Sequence, residues 1–219
     1  MLMSRKNIIM PLLSARVAIV LLMLISYPVA SFLPVHAGWE NGVVESTQVS
    51  FLMMGAFLAC YVAYNESRPQ WRWFAWMVVP IWILLIGREM SWGATFLVEP
   101  AFIDPELGPA YSSSMLGGFK MVTRVILVAL LLFSAVVFLV TKQYKSVLYL
   151  FKQKMMPWFE LGVAFIGAIL CSAADGHGFI KFSSLSAGHL QTFEELLELG
   201  VYMSVFVAQA VVFSRLNKH

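Results

Sequence analysis

Residues 119–141 read FKMVTRVILVALLLFSAVVFLVT, and this stretch decides the fold class of the chain. It is apolar almost throughout, and its two charged residues, Lys120 and Arg124, lie near its beginning. A helix needs about 20 consecutive apolar residues to cross the hydrocarbon core of a bilayer. The stretch therefore predicts a membrane-spanning α-helix.

Stretches of the same character lie on both sides of it. The chain is 60% hydrophobic and only 12% charged, with a mean hydropathy of +0.78, whereas a soluble domain needs far more charge on its surface. We therefore predict an all-α, polytopic transmembrane helix bundle, formed by residues 1–219 as a single domain in the lipid bilayer. Its six predicted spans cover residues 8–33, 46–65, 73–97, 119–141, 158–174 and 190–214.

The basic residues lie in short clusters at alternate ends of these spans. Because Lys and Arg are retained on the cytoplasmic side, the clusters predict that both termini are cytoplasmic, and only Lys120 and Lys181 fall on the outer side. No basic face or tail is evident in the sequence, so nucleic acid is not predicted as a partner. The cytoplasmic set comprises Arg5, Lys6, Arg16, Arg68, Arg72, Lys142, Lys145, Lys152, Lys154, Arg215 and Lys218.

Acidic residues concentrate on the predicted outer side. Only Glu66 and Glu160 are predicted to be cytoplasmic, although acids contribute little to the rule that orients membrane proteins. The predicted outer set is Glu40, Glu45, Glu89, Glu99, Asp104, Glu106, Asp175, Glu194, Glu195 and Glu198.

Four charged residues are predicted to lie at a similar depth within the spans. A rise of about 1.5 Å per residue places Glu89 and Glu198 roughly 12 Å below the outer ends of their helices. Arg124 lies about 8 Å into its helix by the same measure, and Arg88 is close to it in depth. An unpaired charge at the bilayer centre costs about 2.5–3.5 kcal/mol. These groups are therefore expected to point into the bundle, towards partners or water.

The last span carries one polar stripe. Gln191, Glu195, Glu198, Tyr202 and Gln209 recur at spacings that fall on one helical face, and Glu194 is a neighbour of Glu198 at i, i+4. Neighbouring carboxylates repel unless a cation, a proton or an arginine lies between them. The residues predicted to ligate a divalent metal are Glu89, Glu194, Glu198 and His189, although a solvated loop position also explains His189.

Two further segments supply candidate residues. In the segment Gly87-Arg88-Glu89-Met90-Ser91-Trp92-Gly93, adjacent helical residues point about 100° apart, so Arg88 and Glu89 are each expected to reach another helix. The glycines are expected to allow close approach of neighbouring helices. In residues 40–45, an Asn-Gly turn precedes Glu45, which is expected near a helix N-terminus, where the helix dipole favours an anion.

These three motifs together resemble a group of functionally uncharacterised bacterial multi-pass membrane proteins. The shared features are an Asn/Asp-Gly-x-x-Glu motif before an early helix, a Glu-Met/Ile-Ser-Trp-Gly helix and a late Glu-Glu-x-x-Glu helix. The resemblance implies a bacterial inner membrane location and singles out Glu45, Glu89, Trp92, Glu194, Glu195 and Glu198. Arg88 stands where a second acid is expected.

Several functions are compatible with these residues. The first is a metal- or proton-dependent enzyme that acts on a lipid or small molecule from the outer side, with Glu89, Glu195 and Glu198 catalytic. Arg88, Arg124, Trp92 and Tyr202 would then bind the substrate. The alternatives are an ion- or proton-coupled carrier, and an accessory or sensory subunit in which the charged groups form a structural ion-pair network. The sequence does not decide whether the chain is an enzyme.

Overall fold

Long helices coincide with most of the apolar stretches. The computed structural model describes residues 5–177, 182 and 184–216, and for residues 5–11 the backbone alone. The described chain forms helices and a β-hairpin of strands β1 (Phe102–Asp104) and β2 (Gly108–Ala110), so the all-α prediction is confirmed apart from this small element. The helices are α1 (Arg5–Phe32), α2 (Val43–Asn65), α3 (Pro69–Glu89), α4 (Ala94–Leu97), α5 (Phe119–Val140), α6 (Gln143–Lys152), α7 (Trp158–Ala174) and α8 (Ala187–Leu216).

Five helical segments are long and apolar enough to cross a membrane by length and composition. They are Leu12–Phe32, Val35–Asn65, Pro69–Glu89, Phe119–Val140 and Ala187–Leu216. Helix α7 is also apolar but has only 17 residues. These helices are compatible with a membrane protein. Two of the basic residues used to predict the orientation, Lys181 and Lys218, lie outside the described residues.

The third helix ends earlier than the sequence predicts. Helix α3 stops at Glu89, because Ser91 and Trp92 adopt positive φ angles of 43° and 56° that an α-helix cannot accommodate. The Trp92 ring then lies over Gly87, where a Cβ atom would come within 2.9 Å of it. The predicted depth of Glu89, about 12 Å below a helix end, is therefore wrong, because Glu89 is the last residue of its helix.

The described chain divides into two compact units. Unit 1 contains residues 1–48, 105–108 and 157–211, and unit 2 contains residues 49–104, 109–156 and 212–219. The division does not follow a single cut in the chain, since α2 and α8 each contribute residues to both units. The prediction of a single transmembrane domain stays a prediction.

The core of unit 1 is built from α1, α7 and α8. Ile19 of α1 and Val207 and Val211 of α8 are buried together, and partly buried apolar side chains pack around them. The surrounding side chains are Leu12, Ala15, Met23, Val163, Met203 and Phe206. Burial of such side chains contributes roughly 1.5–3 kcal/mol each, so this cluster holds the three helices together.

The core of unit 2 depends on two large aromatic residues. Trp82 of α3 is buried, and its ring packs on α2 at Gly55, where a Cβ atom would come within 2.6 Å of the ring. Trp71, near the start of α3, is buried with Leu150 of α6 and Phe213 of α8. Helices α3 and α5 also pack together, and the Ser134 hydroxyl donates a hydrogen bond to the Met77 carbonyl at 3.1 Å.

A salt bridge closes the connection between α2 and α3. The Arg68 guanidinium donates to both carboxylate oxygens of Glu66, at 2.9 and 2.8 Å, and also to the Leu216 carbonyl at 3.0 Å. The hydrogen bond from Arg68 lowers the pKa of Glu66 below its usual 4.5, and the same bond raises the pKa of Arg68.

This salt bridge predicts an acid-dependent loss of stability. The pKa of Glu66 is lower in the folded state than in the unfolded state. The stability that its ionised carboxylate contributes is therefore complete above pH 4.5 and is lost as the pH falls through the folded-state pKa. We expect Glu66→Gln to reduce the free energy of unfolding by about 1 kcal/mol at pH 7. The measurement is unfolding in detergent from pH 7 to pH 3 for both proteins. A difference that stays constant over this range would contradict the prediction.

Candidate functional site

The candidate site lies in unit 1, where the polar stripe of α8 meets the beginning of α2. Gln48 of α2 is completely buried. Its side-chain Nε2 donates to the carboxylate Oε2 of Glu195 at 2.8 Å and to the Glu195 carbonyl at 2.7 Å. One of these hydrogen bonds holds the Glu195 side chain and the other its backbone carbonyl, because a buried amide must satisfy its donors. Glu195 is therefore held in place by a neighbouring helix.

Glu198 lies next to Glu195 on the same face of α8. One carboxylate oxygen of each residue lies within 4.8 Å of the other, and both side chains are half-buried. Two negative charges at this distance repel by about 3–4 kcal/mol at an effective dielectric constant of about 20. The arrangement therefore favours a cation close to both carboxylates.

Other members of the stripe are also withdrawn from solvent. Tyr202 and Gln209 are buried, and Gln191 is half-buried with an Oε1 atom that has no hydrogen-bond partner among the described residues. Ser204, which lies between Tyr202 and Gln209 along α8, is completely buried, and its hydroxyl also lacks a partner in the described part of the chain. Polar side chains thus line α8 well beyond the two carboxylates.

Glu194 and His189 are placed differently from the carboxylate pair. Both are half-buried, and the Nδ1 atom of His189 lies 3.0 Å from the Ser186 hydroxyl. Within the described residues, Glu194 and His189 do not belong to the group of close ligand atoms that contains the oxygens of Glu195 and Glu198. Their roles as metal ligands stay predictions.

Glu45 occupies the first turn of α2, as the sequence predicts. Its carboxylate accepts a hydrogen bond from the backbone N–H of Asn41, which has a φ angle of 62° in the preceding turn. A carboxylate that reaches back to the N–H groups before a helix stabilises the helix start. This contact gives Glu45 a structural task at the end of the helix that carries Gln48.

The chain stands apart from the proteins with which it was compared. No protein-family model, curated protein or solved structure matches it. The resemblance to bacterial multi-pass proteins therefore stays a prediction, and the functional assignment depends on the geometry of the side chains.

The segment from Gly87 to Gly93 does not have the predicted arrangement. The Arg88 Nε atom lies 3.0 Å from the Glu89 carboxylate, so these adjacent side chains pair with each other at the end of α3. The expectation that each of them reaches another helix stays a prediction. The Arg88 side chain is 59% exposed, so it is not buried in a bundle as predicted. Gly93, with a φ of 88°, serves the turn and does not admit a neighbouring helix.

Arg124 also departs from its predicted position. It is exposed on α5, although the sequence predicts that it points into the bundle. It belongs to a groove along α5 in unit 2, together with Lys120. Lipid exposure was judged too costly for an arginine, but a residue this close to a helix end can extend its long side chain to the headgroup level.

The sequence reasoning missed a buried ion pair in unit 1. Glu160, in the first turn of α7, is 1% exposed and lies 2.7 Å from the Arg16 guanidinium of α1. The Arg16 guanidinium carbon also lies 5.2 Å from the centre of the Phe159 ring, within the range of a cation–π contact. The sequence predicts only that both residues lie towards the cytoplasmic side. The sequence carries one sign of this pair: Arg16 interrupts an otherwise apolar stretch, and Glu160 lies near the start of another.

Proposed function

We propose that the chain is a multi-pass protein of a bacterial inner membrane that binds a cation at Glu195 and Glu198. In this proposal α7 is the sixth span, both termini are cytoplasmic, and the carboxylate pair lies towards the outer side. The supporting observation is the proximity of the two carboxylates, whose oxygens lie within 4.8 Å of each other on a helix apolar enough to span a membrane. Ionisable residues inside such helices are functional candidates by default.

The donor atoms favour a hard divalent cation. The close carboxylates offer oxygen atoms, and the buried Gln48 amide has an Oε1 atom without a partner among the described residues. Oxygen donors without thiolate or imidazole suit Mg²⁺, Mn²⁺ or Ca²⁺ better than Zn²⁺.

The proposed activity is a metal-dependent reaction on a lipid or lipid-linked substrate. A bound divalent cation would polarise a carbonyl or phosphoryl oxygen or lower the pKa of a water molecule. Glu195 and Glu198 would both hold this cation, with Glu195 fixed in place by the amide of Gln48. The contributions of Glu89, Trp92, Arg88 and Tyr202 stay predictions from the sequence.

Cation binding can be tested directly. We expect detergent-purified protein to bind Mn²⁺, measured by titration and elemental analysis, and Glu198→Gln to weaken binding at least about tenfold, because one charged ligand is lost. Glu99→Gln is the matched control, since Glu99 is exposed and the net charge changes equally. No metal in the wild type, or equal weakening in the control, would contradict the proposal.

A second candidate function is a proton- or ion-coupled carrier. It is favoured by Glu160, a buried carboxylate of the same unit whose Oε2 atom has no partner among the described residues. Ser204, at an intermediate position along α8, supplies another buried polar atom. A carrier predicts proton or cation flux in liposomes that Glu198→Gln abolishes and Glu99→Gln retains. Metal binding without flux would favour the enzyme instead.

A further inference from the structure

A groove runs along the N-terminal half of α5 in unit 2. It has a volume of about 670 Å³ and an apolar wall formed mainly by Met121, Val125, Val128, Ala129 and Leu132. Lys120 and Arg124 line the same groove near the start of the helix. One end of the groove is therefore cationic and the rest is apolar, which is the pattern of an amphiphile with an anionic head.

The two cations are available to a ligand. Lys120 and Arg124 lie at i and i+4, so they occupy the same face of α5. Neither side chain makes a hydrogen bond or ion pair with a described residue. Arg124 lies about 8 Å from the helix start at about 1.5 Å per residue, so its side chain can reach the headgroup level.

The approach to this end of the groove is open. Gly117 and Gly118 precede α5, and a Cβ atom at either position would meet no atom of the described residues within 4 Å. Within the described part of the chain, no side chain caps the N-terminus of α5. The unpaired N–H groups of a first helical turn favour a negative charge there, which adds to the attraction from the two side chains.

We propose that this groove binds an anionic glycerophospholipid of the leaflet that contains the start of α5. Lys120 and Arg124 bind the phosphate, and an acyl chain lies between Met121 and Leu132. A zwitterionic lipid fits less well, because its own cationic head group would lie beside two fixed positive charges. The proposal uses residues of unit 2 alone and does not depend on the cation site at Glu195.

Lipid selectivity tests the charged end of the groove. The protein is placed in nanodiscs with equal amounts of phosphatidylglycerol and phosphatidylcholine of the same chain length, and retained lipid is identified by native mass spectrometry. We expect phosphatidylglycerol to be enriched on the wild type, and Lys120→Gln/Arg124→Gln to reduce the enrichment about 10- to 30-fold, because each cation near the surface contributes a factor of about five or somewhat less. The control Lys142→Gln/Lys145→Gln removes two exposed charges near the other end of α5 and should change it less than about threefold. Absence of enrichment in the wild type, or an equal loss in the control, would overturn the proposal.

A second variant tests the apolar wall without changing charge. Ala129→Trp fills the groove and should remove the retained phospholipid, while the exposed position of Ala129 on α5 keeps the helix intact. Retention of the same lipid by this variant would overturn the proposal. A second outcome would also overturn it. If the monomer carries no lipid and the wild type forms a dimer that Ala129→Trp abolishes, a second copy of the chain covers the groove.

Discussion

Arg16→Met is expected to destabilise the protein by about 3–5 kcal/mol, because it leaves the Glu160 carboxylate charged and buried without its partner. Two guanidinium nitrogens of Arg16 lie 2.7 Å from the same oxygen of Glu160. The Arg16 side chain is 28% exposed, whereas Glu160 is 1% exposed, so the carboxylate bears most of the desolvation. Unfolding in mixed micelles, followed by helical circular dichroism, measures the effect.

A double variant separates the loss of the pair from the loss of packing. Arg16→Met/Glu160→Leu removes both charges, and we expect it to recover most of the stability because apolar side chains replace a buried pair at little cost. Arg72→Met is the control, since Arg72 is exposed and also lies near a predicted cytoplasmic helix end. If Arg16→Met proved as stable as Arg72→Met, the ion pair would not hold α1 and α7 together.

Gly38→Ala is expected to be the second most damaging change described here. A Cβ atom at Gly38 would lie 2.5 Å from the Thr192 Cα atom, which belongs to the backbone of α8 and cannot rotate away. The turn at residues 35–38 must therefore move off α8. Overpacking of this kind costs about 1–3 kcal/mol. The shift would also disturb Thr192, which is buried and donates to the Gly188 carbonyl at 2.9 Å.

The same substitution at Gly162 provides the comparison. Gly162 lies within α7, and a Cβ atom there would meet nothing within 4 Å. Alanine favours a helix interior by up to about 1 kcal/mol over glycine, so Gly162→Ala should be neutral or stabilising. The midpoint of thermal unfolding should fall clearly below the wild-type value for Gly38→Ala, and should equal or exceed it for Gly162→Ala. Equal midpoints would contradict the close contact at Gly38.

The sequence predicts the long helices well because their signal is local. The runs that became α1, α2, α5 and α8 are apolar over a length that only a membrane or a large core can use. The end of α3 was missed because it depends on positive φ angles at Ser91 and Trp92, residues that rarely adopt them. Trp92 adopts this conformation where Gly87 leaves space for its ring, a contact that no helical periodicity predicts.

The polar groups show the same contrast. The stripe on α8 was predictable, since its spacing places Glu195 and Glu198 on one face, and the structure brings these two carboxylates together. Their partner Gln48 was not identified, although a glutamine within an apolar stretch is costly and is itself a signal. The ion pair of Arg16 and Glu160 joins residues 144 positions apart, so sequence spacing carries no information about it.

In the proposed topology α7 spans the membrane, and its shortness would then make the protein sensitive to bilayer thickness. Its 17 residues span about 25 Å, which is less than the roughly 30 Å of a typical hydrocarbon core. Phe165, Ile166 and Ile169 are exposed along it, so lipid tails would contact this helix directly. In a bilayer, the surrounding lipids must compress or the helix ends must be drawn inward, at a cost of a fraction of a kcal/mol per ångström. In that topology the protein would be best matched to membranes of short or unsaturated acyl chains, and lipid composition would affect its stability.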